Sequence, residues 1–203
     1  MQRYEFFSIF VLQKIMNMEQ NVFQKNMWNL AAKAGLVLGL VSASYLFITH
    51  MITKAELSAI ITTPAGIVLW LGKFGGCILL MRYFMKKLAA ENTSVDNAST
   101  FRFGMIVSIL SAIVFAAYTF ADVAFISAYT YSEQMNQVMQ TYTQFLDSNS
   151  MAQIEKMIDK MPQITFFSNL VYCFLYGTVL SFILSRSIPS KDPFAEFKPE
   201  EQN

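Results

Sequence analysis

The sequence predicts an all-α membrane protein, a four-helix transmembrane bundle with an extracytoplasmic amphipathic helical hairpin between helices three and four. Three observations predict this fold. Only 14% of the 203 residues are charged, whereas soluble domains carry about 25%. Four apolar stretches each reach the ~20 residues that a helix needs to cross a bilayer. The basic residues are divided unequally between the two ends of these stretches.

The four apolar stretches lie at about residues 30–52, 59–84, 103–129 and 164–188. Because lipid offers the backbone no hydrogen-bond partners, each stretch is expected to form a helix. Together they make one membrane domain, residues 26–188, which is followed by a polar tail at residues 189–203.

The lysine and arginine residues predict the orientation of the chain in the membrane. Eleven of them lie in the N-terminal segment, around the second-to-third connection and in the tail. Three of them, Lys54, Lys156 and Lys160, lie on the opposite side. Because basic residues concentrate on the cytoplasmic side, both termini are expected in the cytoplasm.

Residues 1–25 form a segment with two open interpretations. Tyr4–Met16 is aromatic and apolar, but its apolar run is too short for a span and lacks the cleavage site of a signal peptide. One interpretation is an extended start, since Met16 and Met18 lie just ahead of the first span. The other is an amphipathic helix at the membrane interface.

The third-to-fourth connection, residues 131–163, carries apolar residues at helical spacing and predicts two amphipathic helices. The first covers roughly Met135–Leu146 and is broken by Asp147–Ser150. The second begins with a capping box at Ser150 and is stopped by Pro162. The connection is therefore predicted to be a helical hairpin outside the cytoplasm.

The apolar stripe of this hairpin has two interpretations. In the first it lies on the membrane surface or on the bundle. In the second it is a methionine-rich face that docks a partner, because methionine adapts its packing. The residues of this face are Met135, Met139, Tyr142, Met151 and Met157.

Lys73 is a charged residue near the middle of a predicted span. A lysine there is costly to insert, so it usually faces the bundle interior or water and marks a function. The alternative is a tolerated lysine that is deprotonated or reaches a local water defect. Neutral hydroxyl groups at its depth are candidate acceptors for the ammonium: Ser42, Tyr45, Ser111, Tyr118, Tyr172 and Tyr176.

Asp122 lies inside the third predicted span, but at a different depth from Lys73. With a rise of 1.5 Å per residue it lies roughly 12 Å closer to the outer surface, so direct pairing with Lys73 is not expected. Asp122 should lie level with Asn169 and Thr62, as a carboxylate at the outer interface. A lone His50 at the outer end of the first span is not expected to bind a metal.

Two Gly-x-x-x-Gly motifs predict close helix packing. They are Gly35 with Gly39 in the first span and Gly72 with Gly76 in the second. Glycines at this spacing let two helix backbones approach closely. Packing is therefore favoured over a ligand site at both motifs.

Motifs for catalysis, cofactors and metals are missing from the sequence. It has no Walker loop, no glycine-rich dinucleotide turn, no His-Glu-x-x-His, and no Ser or Cys nucleophile with a credible base. Cys77 and Cys173 lie in apolar runs without Cys-x-x-Cys spacing, so neither a zinc site nor a disulfide framework is indicated. We expect no enzyme activity, no cofactor, no metal and no nucleic-acid partner.

Short motifs also flank the predicted spans. They are Trp28-Asn29-x-Ala31-x-Lys33-x-Gly35-Leu36, Arg82-Tyr83, Phe101-Arg102-Phe103-Gly104, Pro162 and Lys191-Asp192-Pro193-Phe194. With these motifs, residues 26–195 resemble an uncharacterised family of bacterial four-helix membrane proteins, the domain of unknown function 4199. The segment before Asn21 departs from that pattern, which favours the extended start. The resemblance implies a multi-pass protein of the bacterial inner membrane that accompanies enzymes of envelope glycans or lipid-linked sugars.

Two functional hypotheses follow. The first is a non-enzymatic accessory or scaffolding subunit of a larger envelope complex, which contacts the lipid bilayer and other membrane chains or copies of itself. The second is a small transporter or ion-coupled membrane protein that uses Lys73. A water-filled cavity around Lys73 would favour transport, whereas a lysine that faces a partner's acid would favour assembly.

Overall fold

The computed structural model describes residues 2–55, 59–92, 95–142 and 147–188. Its helices are α1 (Gln2–Lys54), α2 (Ala59–Glu91), α3 (Asn97–Ala121), a π-helical turn (Asp122–Ile126), α4 (Ala128–Tyr142), α5 (Ser148–Asp159) and α6 (Met161–Arg186). The described residues contain no β-strand.

The prediction of four helices long and apolar enough to cross a membrane is confirmed. The candidate spans are Asn21–Thr53, Thr62–Glu91, Asn97–Ile126 and Met161–Arg186. The third span was predicted to continue to residue 129, but the π-helical turn ends it at Ile126. The fourth span begins at Met161 instead of residue 164, because Pro162 lies in the first turn of α6.

The predicted boundary at residue 25 is not a break in the backbone. Helix α1 is continuous over 53 residues, which corresponds to about 80 Å at 1.5 Å per residue. This exceeds the ~30 Å of a bilayer core, so part of α1 extends beyond it. Whether residues 1–25 lie on the membrane surface or are an extended start stays a prediction.

The hydrophobic core lies at one end of the bundle, which we call the basic end because Arg82, Lys86, Lys87 and Arg102 cluster there. In this core, α3 packs between α1 and α6, and α2 joins it through its last turns. Helix α3 begins there because the Asp96 carboxylate accepts a hydrogen bond from the backbone N–H of Ser99 at 2.8 Å. The buried core residues include Ala31, Ala34, Met81, Met85, Leu88, Phe103, Val107 and Leu184.

Helices α3 and α6 pack through small residues that occupy equivalent positions on the two helices. Ser108 lies one turn after Gly104, and its Oγ donates to the Gly104 carbonyl at 2.7 Å. Ser181 lies one turn after Gly177, and its Oγ donates to the Gly177 carbonyl at 2.6 Å. Each glycine faces the serine of the other helix, and the two hydroxyl oxygens are 3.4 Å apart. This close contact, which sequence analysis missed, joins the two helices at the centre of the bundle.

The two predicted Gly-x-x-x-Gly motifs behave differently. A Cβ at Gly35 would lie 2.6 Å from Leu110, and one at Gly39 would lie 2.6 Å from Val114, so both glycines pack α1 against α3. A Cβ at Gly72 or Gly76 would meet no atom within 4 Å. The packing expected at Gly72 and Gly76 within this chain is therefore absent, because no other helix lies against α2 at these two positions.

The connection between the third and fourth spans forms two helices, α4 and α5, as expected, but its boundaries differ from the prediction. The N-cap of α5 is Asp147, not Ser150, since the Asp147 carboxylate accepts the Ser150 N–H at 3.1 Å. Hydrogen bonding from Ser150 holds the pKa of the Asp147 carboxyl below its ordinary value. Pro162 does not stop α5 but begins α6, because a proline in the first turn loses no helical hydrogen bond.

The methionine-rich face of the connection is only partly formed. Met135, Met139 and Met151 are half-buried, whereas Met157 is exposed. The side chain of Tyr142 lies outside the described residues, as do Phe145 and Leu146. The location of this hairpin outside the cytoplasm stays a prediction.

Candidate functional site

Lys73 lies on the part of α2 that leaves the bundle core. Along the helix axis, Lys73 is roughly 16 Å from Thr62 and roughly 27 Å from Glu91, the two ends of its span. Toward the basic end, Met81, Met85 and Leu88 are buried. In contrast, Val68 is 68% exposed and Gly72 is exposed. Lys73 therefore lies where α2 separates from its neighbours.

The ammonium of Lys73 lies over aromatic rings on three helices. Its Nζ is 4.9 Å from the ring centroid of Phe115 on α3, 5.0 Å from that of Tyr45 on α1, and 5.9 Å from that of Phe74. The faces of these rings carry partial negative charge and attract a cation. The side chain is half-buried and directed toward α1 and α3.

The hydroxyl acceptors expected for Lys73 are not in place. Among the described residues its ammonium has no hydrogen bond, and Tyr45 contributes its ring instead of its hydroxyl. The hydroxyl of Ser42 lies 3.9 Å from the sulfur of Cys77. Aromatic faces replace the hydroxyls because the rings of Tyr45 and Phe115 point into the space between α1, α2 and α3, whereas Tyr172 is 64% exposed on α6.

The other hydroxyl candidates form no hydrogen bond with the ammonium within the described part of the chain. Tyr118 and Ser111 are half-buried on α3, and the Ser111 backbone packs against Gly35 and Gly39. Tyr176 forms an edge-to-face contact with Phe74, at 5.4 Å between ring centroids. Of the predicted hydroxyl layer, Tyr45 contacts Lys73 through its ring, and Ser42, Tyr172 and Tyr176 line a cavity with Lys73.

Two spaces adjoin Lys73. A cavity of about 80 Å³ lies inside the bundle and is lined by Ser42, Lys73, Cys77, Tyr172, Cys173 and Tyr176, among others. An open groove of about 600 Å³ lies between α1 and α2. We call the second space the α1–α2 groove; its walls include Val37, Val41 and Tyr45 on α1 and Val68, Gly72 and Lys73 on α2.

A second polar cluster lies at the far end of the bundle from the core. His50 Nδ1 on α1 is 3.3 Å from Asp122 Oδ1 at the start of the π-helical turn. Ser127 Oγ donates to the same carboxylate oxygen at 3.0 Å, and the Ser127 N–H donates to the Asp122 carbonyl at 2.7 Å. The side chain of Asp122 is 7% exposed and that of His50 is 33% exposed. Asp122 is therefore a buried, partnered carboxylate and not a solvated group at the interface.

Asp122 is buried because it continues the inward face of α3, about one turn after buried Thr119. The extra residue in the π-helical turn then brings Ser127, five residues on, to the same side, where it contacts the Asp122 carboxylate. Burial raises the pKa of Tyr131 in α4, and the negative charge of Asp122 raises it further. Sequence analysis placed both His50 and Asp122 near the outer surface but did not pair them. The similar depth predicted for the two residues was the sequence feature that could have indicated their pairing.

Asn169 lies near this cluster but does not contact the carboxylate. Its amide donates to the Thr119 hydroxyl at 3.4 Å and to the Thr165 carbonyl at 3.0 Å. Thr119 lies about one helical turn before Asp122. Asn169 therefore joins α6 to α3 just below the His50–Asp122 pair.

The described residues contain two ion pairs, His50–Asp122 and Lys87–Glu91, and Lys73 belongs to neither. The separation of Lys73 from Asp122 agrees with the depth argument. Within the same described ranges, no three His, Cys, Asp or Glu residues come together as metal ligands. Cys77 and Cys173 are free thiols that are half-buried on either side of the internal cavity.

Comparisons with known proteins found no match for this chain among protein families, curated proteins or solved structures. The resemblance to a bacterial four-helix family stays an expectation.

Proposed function

We propose that this chain is a non-enzymatic accessory subunit that binds another membrane protein through the outward face of α2. We define this face by five residues at helical spacing, Val68, Gly72, Gly76, Leu79 and Tyr83. In keeping with the family resemblance, the larger complex is an envelope assembly of a bacterial inner membrane that handles glycan or lipid-linked sugar.

The observation that carries this proposal is the contrast among the glycines of the chain. Gly35, Gly39, Gly104 and Gly177 each lie against a neighbouring helix, so their missing side chains serve packing. The other four, all on α2, have open space where a Cβ would lie: Gly66, Gly72, Gly75 and Gly76.

A glycine that faces only lipid has a cost and no benefit. It weakens the helix by roughly 1 kcal/mol relative to alanine in water, and it contributes less contact with lipid than a larger side chain would. In a membrane, Gly-x-x-x-Gly faces are characteristic of helix–helix contacts. The outward face of α2 therefore has the character of a contact that this chain alone does not complete.

The extent of exposure supports the same proposal. Val68 is 68% exposed, Leu79 is 67% exposed and Tyr83 is 59% exposed, so the face is open along several turns. The span of α3, in contrast, is the most buried of the four. Helix α2 is thus attached along one side and free along the other, as a helix shared between two proteins would be.

Site-specific photocrosslinking in cells tests this proposal. A benzophenone side chain at Val68 should give a crosslinked band with one defined membrane protein. The matched control is Val179 on α6, which is 59% exposed but has no adjoining glycine face. Equal, diffuse labelling at both positions would contradict the proposal, and a crosslink to a second copy of this chain would change it to self-association.

A second candidate function, ion-coupled transport, draws support from the internal cavity beside Lys73. Its volume of about 80 Å³ is sufficient for about two waters at ~30 Å³ each. In proteoliposomes, an ion or proton flux that requires Lys73 would favour this function. An unchanged flux in Lys73→Met would count against it.

The proposed orientation predicts which side of the membrane carries the hairpin. A cysteine in place of exposed Asn149 in α5 should react with a membrane-impermeant maleimide in intact spheroplasts. A cysteine in place of exposed Lys87, near the basic end of α2, should react only after lysis. The reverse pattern would overturn the assignment of both termini to the cytoplasm.

A further inference from the structure

We infer that the α1–α2 groove binds a transmembrane helix of a different protein, and that this helix carries an aspartate or glutamate level with Lys73. The inference rests on the proposed function, because it identifies the chemistry of the partner. It follows from the position of the Lys73 ammonium, from the acids that the chain contains, and from the form of the groove.

The ammonium of Lys73 has no counter-charge within the described residues. Its contacts are the rings of Tyr45, Phe74 and Phe115, which attract a cation but neutralise no charge. Charged groups inside a membrane usually pair with one another or line water. Lys73 is half-buried and also lines the groove, so a group in the groove can reach its ammonium.

The missing anion does not come from the spans of this chain. Within the four candidate spans the acidic residues are Glu91 and Asp122. Glu91 pairs with Lys87 at 3.8 Å, and Asp122 pairs with His50 at 3.3 Å. The Asp122 carboxylate also accepts from Ser127 and is nearly fully buried.

A second copy of this chain could not supply the carboxylate for Lys73 either, because the acids of its spans are the same two residues. Its Asp122 would have to leave His50 and Ser127, and its Glu91 lies at the end of the span. Along α2, Glu91 is roughly 27 Å from the depth of Lys73. Because neither acid of the spans can supply the carboxylate, we assign it to a different protein.

The groove fits a helix better than a lipid headgroup. Lipid phosphates lie at the interface, whereas Lys73 is roughly 16 Å from the nearer end of its span. From Val37 to Ile48 the α1 wall of the groove extends over about 16 Å, or three helical turns. Gly72, next to Lys73, lets a second backbone approach α2 at the depth where the charge lies.

The test uses the full-length chain, carrying a fluorescent C-terminal tag, in phosphatidylcholine vesicles. The probe is an acceptor-labelled transmembrane peptide of leucine and alanine with one central glutamate. Because the glutamate is at the centre of the peptide, it lies at the same depth in the membrane whichever way the peptide inserts. Energy transfer, titrated against the peptide-to-lipid ratio, measures binding.

We expect the glutamate peptide to bind about tenfold more tightly than the same peptide with glutamine, as for a polar contact between helices in model peptides. A peptide with its glutamate moved two turns toward one end should bind like the glutamine peptide. Lys73→Arg should keep the preference, and Lys73→Met should remove it. Equal binding of the glutamate and glutamine peptides to the wild-type chain would overturn the inference, even if Lys73→Met does not fold.

The vesicle experiment and the crosslinking experiment can fail independently, so failure of this inference can be told apart from failure of the proposed function. A defined crosslink from Val68 in cells without any glutamate preference in vesicles would leave the accessory role intact and overturn the acidic partner. A glutamate preference without a crosslink in cells would support the chemistry of the groove and overturn the accessory role.

Discussion

Gly177→Ala is expected to lower the free energy of unfolding by about 1–3 kcal/mol, the usual cost of overpacking. A Cβ at this position would lie 2.5 Å from Ser108 Oγ, 2.7 Å from Ser108 Cβ and 3.4 Å from Ser108 Cα. The Ser108 backbone cannot move away without shifting α3, because the opposite side of α3 is packed against Gly35 and Gly39 of α1. The expected result is separation of α3 from α6. Thermal unfolding in mild detergent measures it.

Gly72→Ala is the matched control for this variant. Both substitutions add one methyl group inside a helix and carry the same gain of about 1 kcal/mol in helix propensity. At Gly72 nothing lies within 4 Å of the added atom. Gly72→Ala should therefore leave the isolated chain as stable or more stable. If the two variants had equal stability, the close α3–α6 contact described here would be incorrect.

His50→Ala is expected to cost about 1.5–3 kcal/mol of stability, the range for a hydrogen bond to a charged group. The substitution leaves the buried Asp122 carboxylate with Ser127 as its remaining partner. The expected readout is a lower unfolding temperature in detergent. Thr53→Ala, at the end of the same helix, removes a hydroxyl that donates only to Thr49 of its own helix. This control should change stability by less than about 0.5 kcal/mol.

A double-mutant cycle separates the ion pair from the individual side chains. Once Asp122→Ala has removed the carboxylate, the further change His50→Ala should cost little, because no buried charge remains unpaired. The coupling between the two positions should fall within the ~0.5–3 kcal/mol seen for residues in contact. Additive effects would show that His50 and Asp122 do not interact in the folded chain.

The helices were predictable because the bilayer imposes a local rule on the sequence. A helix that crosses lipid must be apolar along its length, so hydropathy located the four spans. Apolar residues at helical spacing located the two short helices between the third and fourth. The errors were local ones. Pro162 begins α6 and Asp147 caps α5, since the same residue types that end one helix also start another.

The candidate site was predictable only in part. The free-energy cost of inserting a lysine into a membrane identified Lys73 from the sequence. That its ammonium contacts aromatic rings and not hydroxyl groups depended on which side chains point into the space between α1, α2 and α3. His50 and Asp122 are 72 residues apart in the sequence, and only the packing of α1 against α3 brings them together.

The sequence by itself determined which segments are helical and that Lys73 and Asp122 lie at different depths, because both follow from composition and the fixed rise of a helix. Only the tertiary structure decided which glycines pack. Gly72 and Gly76 match the Gly-x-x-x-Gly motif but have no helix against them, whereas Gly104 and Gly177 lie outside that motif and pack closely against the serines of the facing helix. Helix packing depends on the rotation of each helix about its axis, and that rotation is set by all the neighbouring helices together.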